Sequence, residues 1–211
     1  EGSQLVCLAL DRVNTPDGPW LDLCAGPGGK SALLAGLARR RGEYLVANEV
    51  AAHRAELVEK ALAVYPPGTA NVICSDGRDS EPIRARRPFA RIMVDAPCSG
   101  LGALRRRPEA RWRRTPDDVA ELVLLQRALL KTAIGLLTPG GVVAYVTCSP
   151  HADETTGVVE AVMADFPDLK LLDASSLLPE VPNATRRGCV QLWPHRHGTD
   201  AMFLALLRCM S

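Results

Sequence analysis

The chain has 211 residues, 47% of them hydrophobic and 23% charged, with a formal net charge of +1. That length can bury a full core, and that balance excludes a disordered or fibrous chain. No apolar run approaches the roughly 20 residues that a bilayer span needs. The opening Glu1-Gly2-Ser3-Gln4 has no basic region leading into an apolar one, so no signal peptide is expected. It also lacks an initiator Met, which points to a fragment or a processed chain. Seven cysteines with no CxxC pair argue against a zinc knuckle or a disulfide framework. Reduced thiols, a cytoplasmic setting, no metal and no membrane are the expectation.

Hydrophobic spacing and turn residues then place strands and helices in alternation. Residues 20–24 read as a short buried strand stopped by Gly26-Pro27-Gly28-Gly29, and 30–41 as a helix. A strand at 44–48 precedes a helix at 51–64 that Pro66-Pro67 ends. Strands follow at 71–75 and 92–96, the latter running into Pro97. Residues 99–114 read as a basic loop. A long helix over 117–137 has Thr115 as its N-cap, Pro116 at its first position and Gly140-Gly141 beyond its end. The most apolar strand, 142–147, leads to a helix at 153–166 and strands at 169–173 and 201–208. Residues 174–200 resist assignment, and a stretch of that length covers a site or contains short elements of its own. The pattern predicts one α/β domain: a mostly parallel seven-stranded sheet with helices on both faces.

The glycine-rich run from Cys24 through Ala25, Gly26, Pro27, Gly28 and Gly29 to Lys30 turns a strand into a helix, where backbone can approach a ligand closely. It matches neither the P-loop nor the dinucleotide fingerprint. Glu49 closes the second strand, where an acid can accept both hydroxyls of a ribose. Asp76 lies just past the third, placed to accept from an adenine amine. Two such acids without a diphosphate motif favour S-adenosylmethionine over NAD.

Two thiols lie just beyond buried strands: Cys98 in Asp95-Ala96-Pro97-Cys98-Ser99-Gly100, and Cys148 in Thr147-Cys148-Ser149-Pro150. The C-terminal ends of strands in an α/β sheet face the ligand crevice. Cytosine C5 is too electron-poor to attack a methyl sulfonium until a thiolate adds at C6, which is nucleophilic catalysis. Cys98 and Cys148 supply two thiols for such chemistry and Asp95 a carboxyl. The remaining cysteines, Cys7, Cys24, Cys74, Cys189 and Cys209, read as structural. Arg105, Arg106, Arg107, Arg111 and Trp112, with Arg113 and Arg114, follow the Cys98 run and suit an unpaired RNA strand through phosphate contacts and stacking. Arg84, Arg86, Arg87 and Arg91 form a second basic cluster that reads as solvated surface. His195 and His197 lack partners at metal-ligand spacing.

Together these motifs resemble the catalytic domain of the RsmB/Nop2/Sun family of RNA cytosine-5 methyltransferases, and in particular its bacterial ribosomal RNA members. The resemblance spans nearly the whole chain, from Gly2-Ser3-Gln4-Leu5 through Ser75-Asp76-Gly77-Arg78-Asp79 to Thr147-Cys148-Ser149. It implies the class I S-adenosylmethionine-dependent methyltransferase fold, which is Rossmann-like. It implies methylation of a cytosine in RNA, small-subunit 16S ribosomal RNA above all, the base being unpaired or flipped from its stack. It makes Cys148 the nucleophile, Cys98 the residue that assists release, and Asp95 a contact to both cytosine and cofactor. Lys30 is implied to lie near the target base, with 24–30, Glu49, Asp76 and Asp95 around the cofactor. Residues 1–15 are then the end of a preceding motif, and an N-terminal RNA-binding domain is expected to be missing. Asp200-Ala201-Met202-Phe203 departs from the Asp-Gly-Phe-Phe-like run of the family. Competing readings are a non-catalytic cofactor-binding or RNA-binding assembly factor, a DNA cytosine-5 methyltransferase with Cys98 as nucleophile, and an NAD enzyme, which the glycine pattern disfavours.

Overall fold

The computed structural model describes every residue except Arg87 and Ser211. Its first five strands, β1 (Trp20–Asp22), β2 (Leu45–Asn48), β3 (Ala70–Ile73), β4 (Phe89–Asp95) and β5 (Leu137–Thr147), are parallel in the order β3-β2-β1-β4-β5. The sheet continues antiparallel through β9 (Phe203–Cys209), against which β6 (Leu169–Leu172) also pairs. These seven strands are the sheet expected from the sequence. A short hairpin of β7 (Thr185–Arg186) and β8 (Cys189–Gln191) adds to β9, making nine strands among the described residues. The hairpin lies within the stretch that resisted assignment, because strands of two and three residues are too short to establish a period.

Side chains alternate across the sheet. Met93, Val142, Ala144 and Val146 face one core with α2 (Gly29–Arg40) and α3 (Ala52–Leu62). Ile92, Val94, Val143 and Tyr145 face the other with α6 (Pro116–Ile134) and α7 (Thr156–Asp165), so both faces of the sheet are covered. Single-turn helices α4 (Glu81–Arg84), α5 (Ala110–Arg113) and α8 (Pro194–His197) sit in the connections. The start of the chain is a full helix, α1 (Gly2–Arg12), which buries Val6, Cys7, Ala9 and Leu10 in the first core. Among the described residues no helix is long and apolar enough to cross a membrane.

Some sequence expectations shift at their edges. The long helix stops at Ile134, because Leu137 already pairs with Phe89 at the start of β5. Its N-terminus follows the expectation: Thr115 caps it in a reciprocal capping box with Asp118. Arg91 is not solvated surface. It is 2% exposed, donates to the Val13 carbonyl at 3.0 Å and lies over the Trp20 ring. Arg87 of the same cluster lies outside the described residues. Cys74, expected to be structural, is exposed just past β3.

The order of strands reverses between β1 and β4, so the crevice of a doubly wound sheet opens there. Asp22 ends β1 beside it and is 1% exposed. One of its oxygens accepts from the Ser31 hydroxyl at 2.7 Å, and the other is buried without a partner. Burial pushes its carboxyl up to about 7 against the opposing Ser31 hydrogen bond. That lies well above the roughly 3.9 of an unfolded Asp, so the stabilisation is complete below about pH 4 and lost as pH rises through about 7. Urea unfolding between pH 4 and 8 is therefore expected to show stability falling with pH in the wild type relative to Asp22→Asn; parallel curves would contradict it.

Candidate active site

Register places the key residues before any side chain is considered. Asp22 pairs with Met93, and Asp95 with Val146, so the segments after β1, β4 and β5 leave neighbouring strands at one edge. The glycine turn, Asp95, Cys98 and Cys148 therefore converge on a cavity of about 610 Å³, which Cys24, Gly26, Pro27, Pro97 and Arg106 also line.

The turn requires glycine at two points. Gly28 has φ +105° and caps α2, and an added Cβ would come within 2.7 Å of the Ala61 methyl. A Cβ on Gly26 would collide with the Glu49 carboxylate and approach Arg54. Gly29 faces open space. Glu49 is 3% exposed and accepts from the Gly26 and Ala51 amides at 2.9 and 3.0 Å, so the acid expected to bind a ribose also braces the turn. Beside it, a cavity of about 180 Å³ is lined by Leu23, Val50, Leu125 and Leu129, with Asn48, Glu49 and Asp76 as polar members. An apolar slot with acids at its rim, next to a backbone cradle, fits an adenine nucleoside. Asp76 is half-exposed and holds Arg78 at 2.6 Å; that hydrogen bond keeps its carboxyl below the usual range.

Lys30, near the start of α2, reaches Asp95 at 2.7 Å. Burial pulls its ammonium down, but the charge and hydrogen bond of Asp95 outweigh that and hold it above its ordinary value. Cys148 lies one residue past β5 and Cys98 three past β4. A hydrogen bond from the Cys98 thiol lowers the Cys148 pKa; burial, Asp95 and Asp200 oppose this and Lys30 assists it. The same hydrogen bond, with burial and the Cys148 charge, holds Cys98 well above the ordinary thiol value. Of the two, Cys148 is therefore the more readily ionised thiol, and a thiolate is the nucleophilic form. Burial pushes Cys7 up to about 12 and Cys24 well above its usual value, which fits inert thiols.

The basic loop is anchored rather than free. Gly102 donates to the Cys148 carbonyl at 2.9 Å and accepts from the Ala201 amide. Arg106 pairs with Asp200 at 2.5 Å, and Arg105 donates to the Gly198 carbonyl at 2.9 Å. Two of the arginines expected at RNA thus already hold the wall of the cavity, while Arg107 lines it. Trp112 is 77% exposed, with the Arg111 guanidinium 5.4 Å from its ring centre. Asp200, given no role from sequence, closes the site from the far end of the chain. Glu154 was also missed, since an acid near a predicted helix start reads as solvated; it is fully buried behind both cysteines.

The sequence profile of the family described as 16S rRNA methyltransferase RsmB/F matches residues 7–208. The chain belongs to the RsmB/F family. A Mycobacterium tuberculosis protein named as a methyltransferase is 54% identical over 99% of the chain and 45% of its own length. The ribosomal RNA small subunit methyltransferase B of Sodalis glossinidius is 37% identical over 88% of the chain and 40% of its own length. The chain therefore spans less than half the length of these RsmB/F relatives. Among solved structures, NSun6 of Pyrococcus horikoshii, determined with SFG, superimposes with a TM-score of 0.81 at 26% identity, covering 99% of this chain and 52% of that one. The sheet is accordingly the class I methyltransferase sheet, with its Rossmann-like order.

For the RsmB/F turn, Gly28→Ala is expected to cost about 1–3 kcal/mol through strain and the Ala61 contact. Gly29→Ala should change stability by less than about 0.5 kcal/mol. Denaturant titration of both variants checks this, and equal losses would contradict the assignment of the tight position.

Proposed function

We propose that this chain transfers a methyl group from S-adenosylmethionine to C5 of a cytosine in RNA, small-subunit 16S ribosomal RNA in the cytoplasm, with Cys148 as the covalent nucleophile. The observation that carries the reading is the convergence of two unequal thiols, Cys148 the more acidic and Cys98 the less, on a cavity shared with Asp95 and bordered by the glycine cradle. The names of the relatives and the RsmB/F profile support ribosomal RNA as the substrate class. The SFG complex of NSun6 and the apolar slot beside Glu49 support the cofactor.

Residues 24–30 hold the cofactor's backbone-facing side, Glu49 its ribose, and Asp76 with the slot its adenine. S-adenosylmethionine supplies the methyl group that C5 receives. Cys148 forms a bond to C6, and the C5–C6 electron pair moves to C5, making it nucleophilic. Asp95, steadied by Lys30, accepts a hydrogen bond from the cytosine amino group and holds the ring. Once C5 is methylated, its proton must leave, the C5–C6 double bond re-forms and the Cys148 thiolate departs. Cys98 serves this last step. When Cys148 is bonded to carbon, the hydrogen bond and charge that hold the Cys98 proton disappear. Cys98 can then give its proton to solvent and take the one from C5. Burial of the reacting atoms at strand ends requires the base to be unpaired or flipped out. The exposed Trp112 with Arg111 beside it, in the segment that follows the cavity wall, suits stacking and phosphate contact with the flanking strand.

Cys98 as nucleophile, as in the DNA-methyltransferase alternative, is opposed by its tightly held proton. A purely binding role leaves the unequal thiol pair without a purpose. Incubation with S-adenosylmethionine and 16S ribosomal RNA, followed by nucleoside mass spectrometry, is expected to yield 5-methylcytidine. Cys148→Ala is expected to lower the rate by at least about a thousandfold, the scale of losing an essential nucleophile. Methylation at another position, or retained activity in Cys148→Ala, would overturn the proposal.

A further inference from the structure

Behind the two cysteines lies a carboxylate with no route to solvent. Glu154 is 0% exposed, as are Ser149, Gln126 and Tyr145, and Ser99 is 2% exposed. One Glu154 oxygen accepts from the Ser99 hydroxyl at 2.5 Å and the Ser149 hydroxyl at 2.6 Å. The other accepts from the Ser99 backbone amide at 2.7 Å and the Gln126 side chain at 3.1 Å. Gln126 also donates to the Pro97 carbonyl at 2.9 Å, and the Tyr145 hydroxyl donates to the Glu154 carbonyl at 2.8 Å. Four donors and no acceptor surround the carboxyl group, the inventory an acceptor-only side chain needs. Burying a carboxylate costs free energy that an apolar group of the same shape would not. Here the cost secures geometry. Ser99 directly follows Cys98, and Ser149 directly follows Cys148.

We propose that Glu154 is a positioning residue that ties the Cys98 and Cys148 loops to one carboxylate and so sets the alignment of their two sulfurs. The inference rests on the reading of Cys148 as nucleophile, and it assigns a shared reason to the serines after both cysteines. Two loops leaving different strands have no covalent reason to keep two sulfurs in hydrogen-bond register; a common acceptor gives them one. Glu154 acts on Cys98 in a second way. After the Cys148 hydrogen bond, burial and the Cys148 charge, its own negative charge also resists ionisation of Cys98, against a Gly100 backbone hydrogen bond that favours it. The charged groups bearing on Cys148 from the other walls are Asp95, Lys30, Asp200 and Arg106, none of which Glu154 touches.

The test reads the thiols directly. In the 211-residue chain, iodoacetamide alkylation of Cys148 and Cys98 is followed by peptide mass spectrometry from pH 5 to 10. The wild type is expected to modify Cys148 at lower pH than Cys98. In Glu154→Gln the two profiles should converge, with Cys148 alkylation at pH 7 falling about tenfold, the effect of one unit of pKa. The kcat for methylation should fall with it while KM for RNA stays within about twofold, the split expected when only the chemical step loses support. Ser99→Ala/Ser149→Ala keeps the carboxylate but removes both hydroxyl donors, and it should shift Cys148 in the same direction; it decides the matter if Glu154→Gln does not fold. A folded Glu154→Gln with the wild-type alkylation profiles, or an unchanged profile in the serine pair, would overturn the proposal. Alkylation needs no methyl transfer, so failure of the methylation assay would refute the functional reading and leave the clamp separately testable.

Discussion

Two thiols of the same intrinsic acidity behave differently in this protein because one donates a hydrogen bond to the other. Cys148 gains an aligned donor and Cys98 loses the incentive to ionise, so their pKa values move apart. Burial alone would raise both and leave neither thiol favoured. The neighbouring charges largely cancel: Lys30 sits on Asp95, and Arg106 on Asp200. The Cys98 thiol biases Cys148 toward ionisation, and the Glu154 network and the loop straps fix the segments that carry the two sulfurs.

The fold contributes by adjacency. Because β1, β4 and β5 are neighbours and parallel, the cofactor turn, the acid and the two cysteines leave the sheet at one edge. The reversal of strand order between β1 and β4 opens the crevice at that place. The segment after Cys98 is drawn over the site by Gly102, whose approach to the Cys148 and Ala201 carbonyls leaves no room for a Cβ. A basic run that could have been a solvated loop therefore forms one wall of the cavity. Its arginines divide the work: Arg106 closes the wall through Asp200, while Arg111 lines a separate cavity beside α6 and Trp112 next to it is exposed.

Much of this was legible in the residue order. Apolar runs ending in turn residues located the parallel strands, and placing Asp95 near the end of one such run and Cys98 and Cys148 just past two of them was enough to predict that they share an edge. The acids at 49 and 76 and the glycine turn were found in the same way. What escaped had no periodic signature. The β7–β8 hairpin is too short to show alternation, and no helix was expected at α1, whose buried side chains seal one core. Glu154 looked like any acid near a helix start; only the tertiary structure turns it inward onto two serines. Arg91 was misread for the complementary reason, since a basic cluster in sequence does not reveal that one member stacks on Trp20 inside the core.

The most direct test of the account is a trapping experiment with Cys98→Ala, incubated with S-adenosylmethionine and 16S ribosomal RNA and resolved on a denaturing gel. A protein–RNA adduct is expected to accumulate, because release is impaired, and to vanish in Cys98→Ala/Cys148→Ala. An adduct that persists without Cys148, or free turnover of Cys98→Ala at the wild-type rate, would contradict the division of roles between the two thiols.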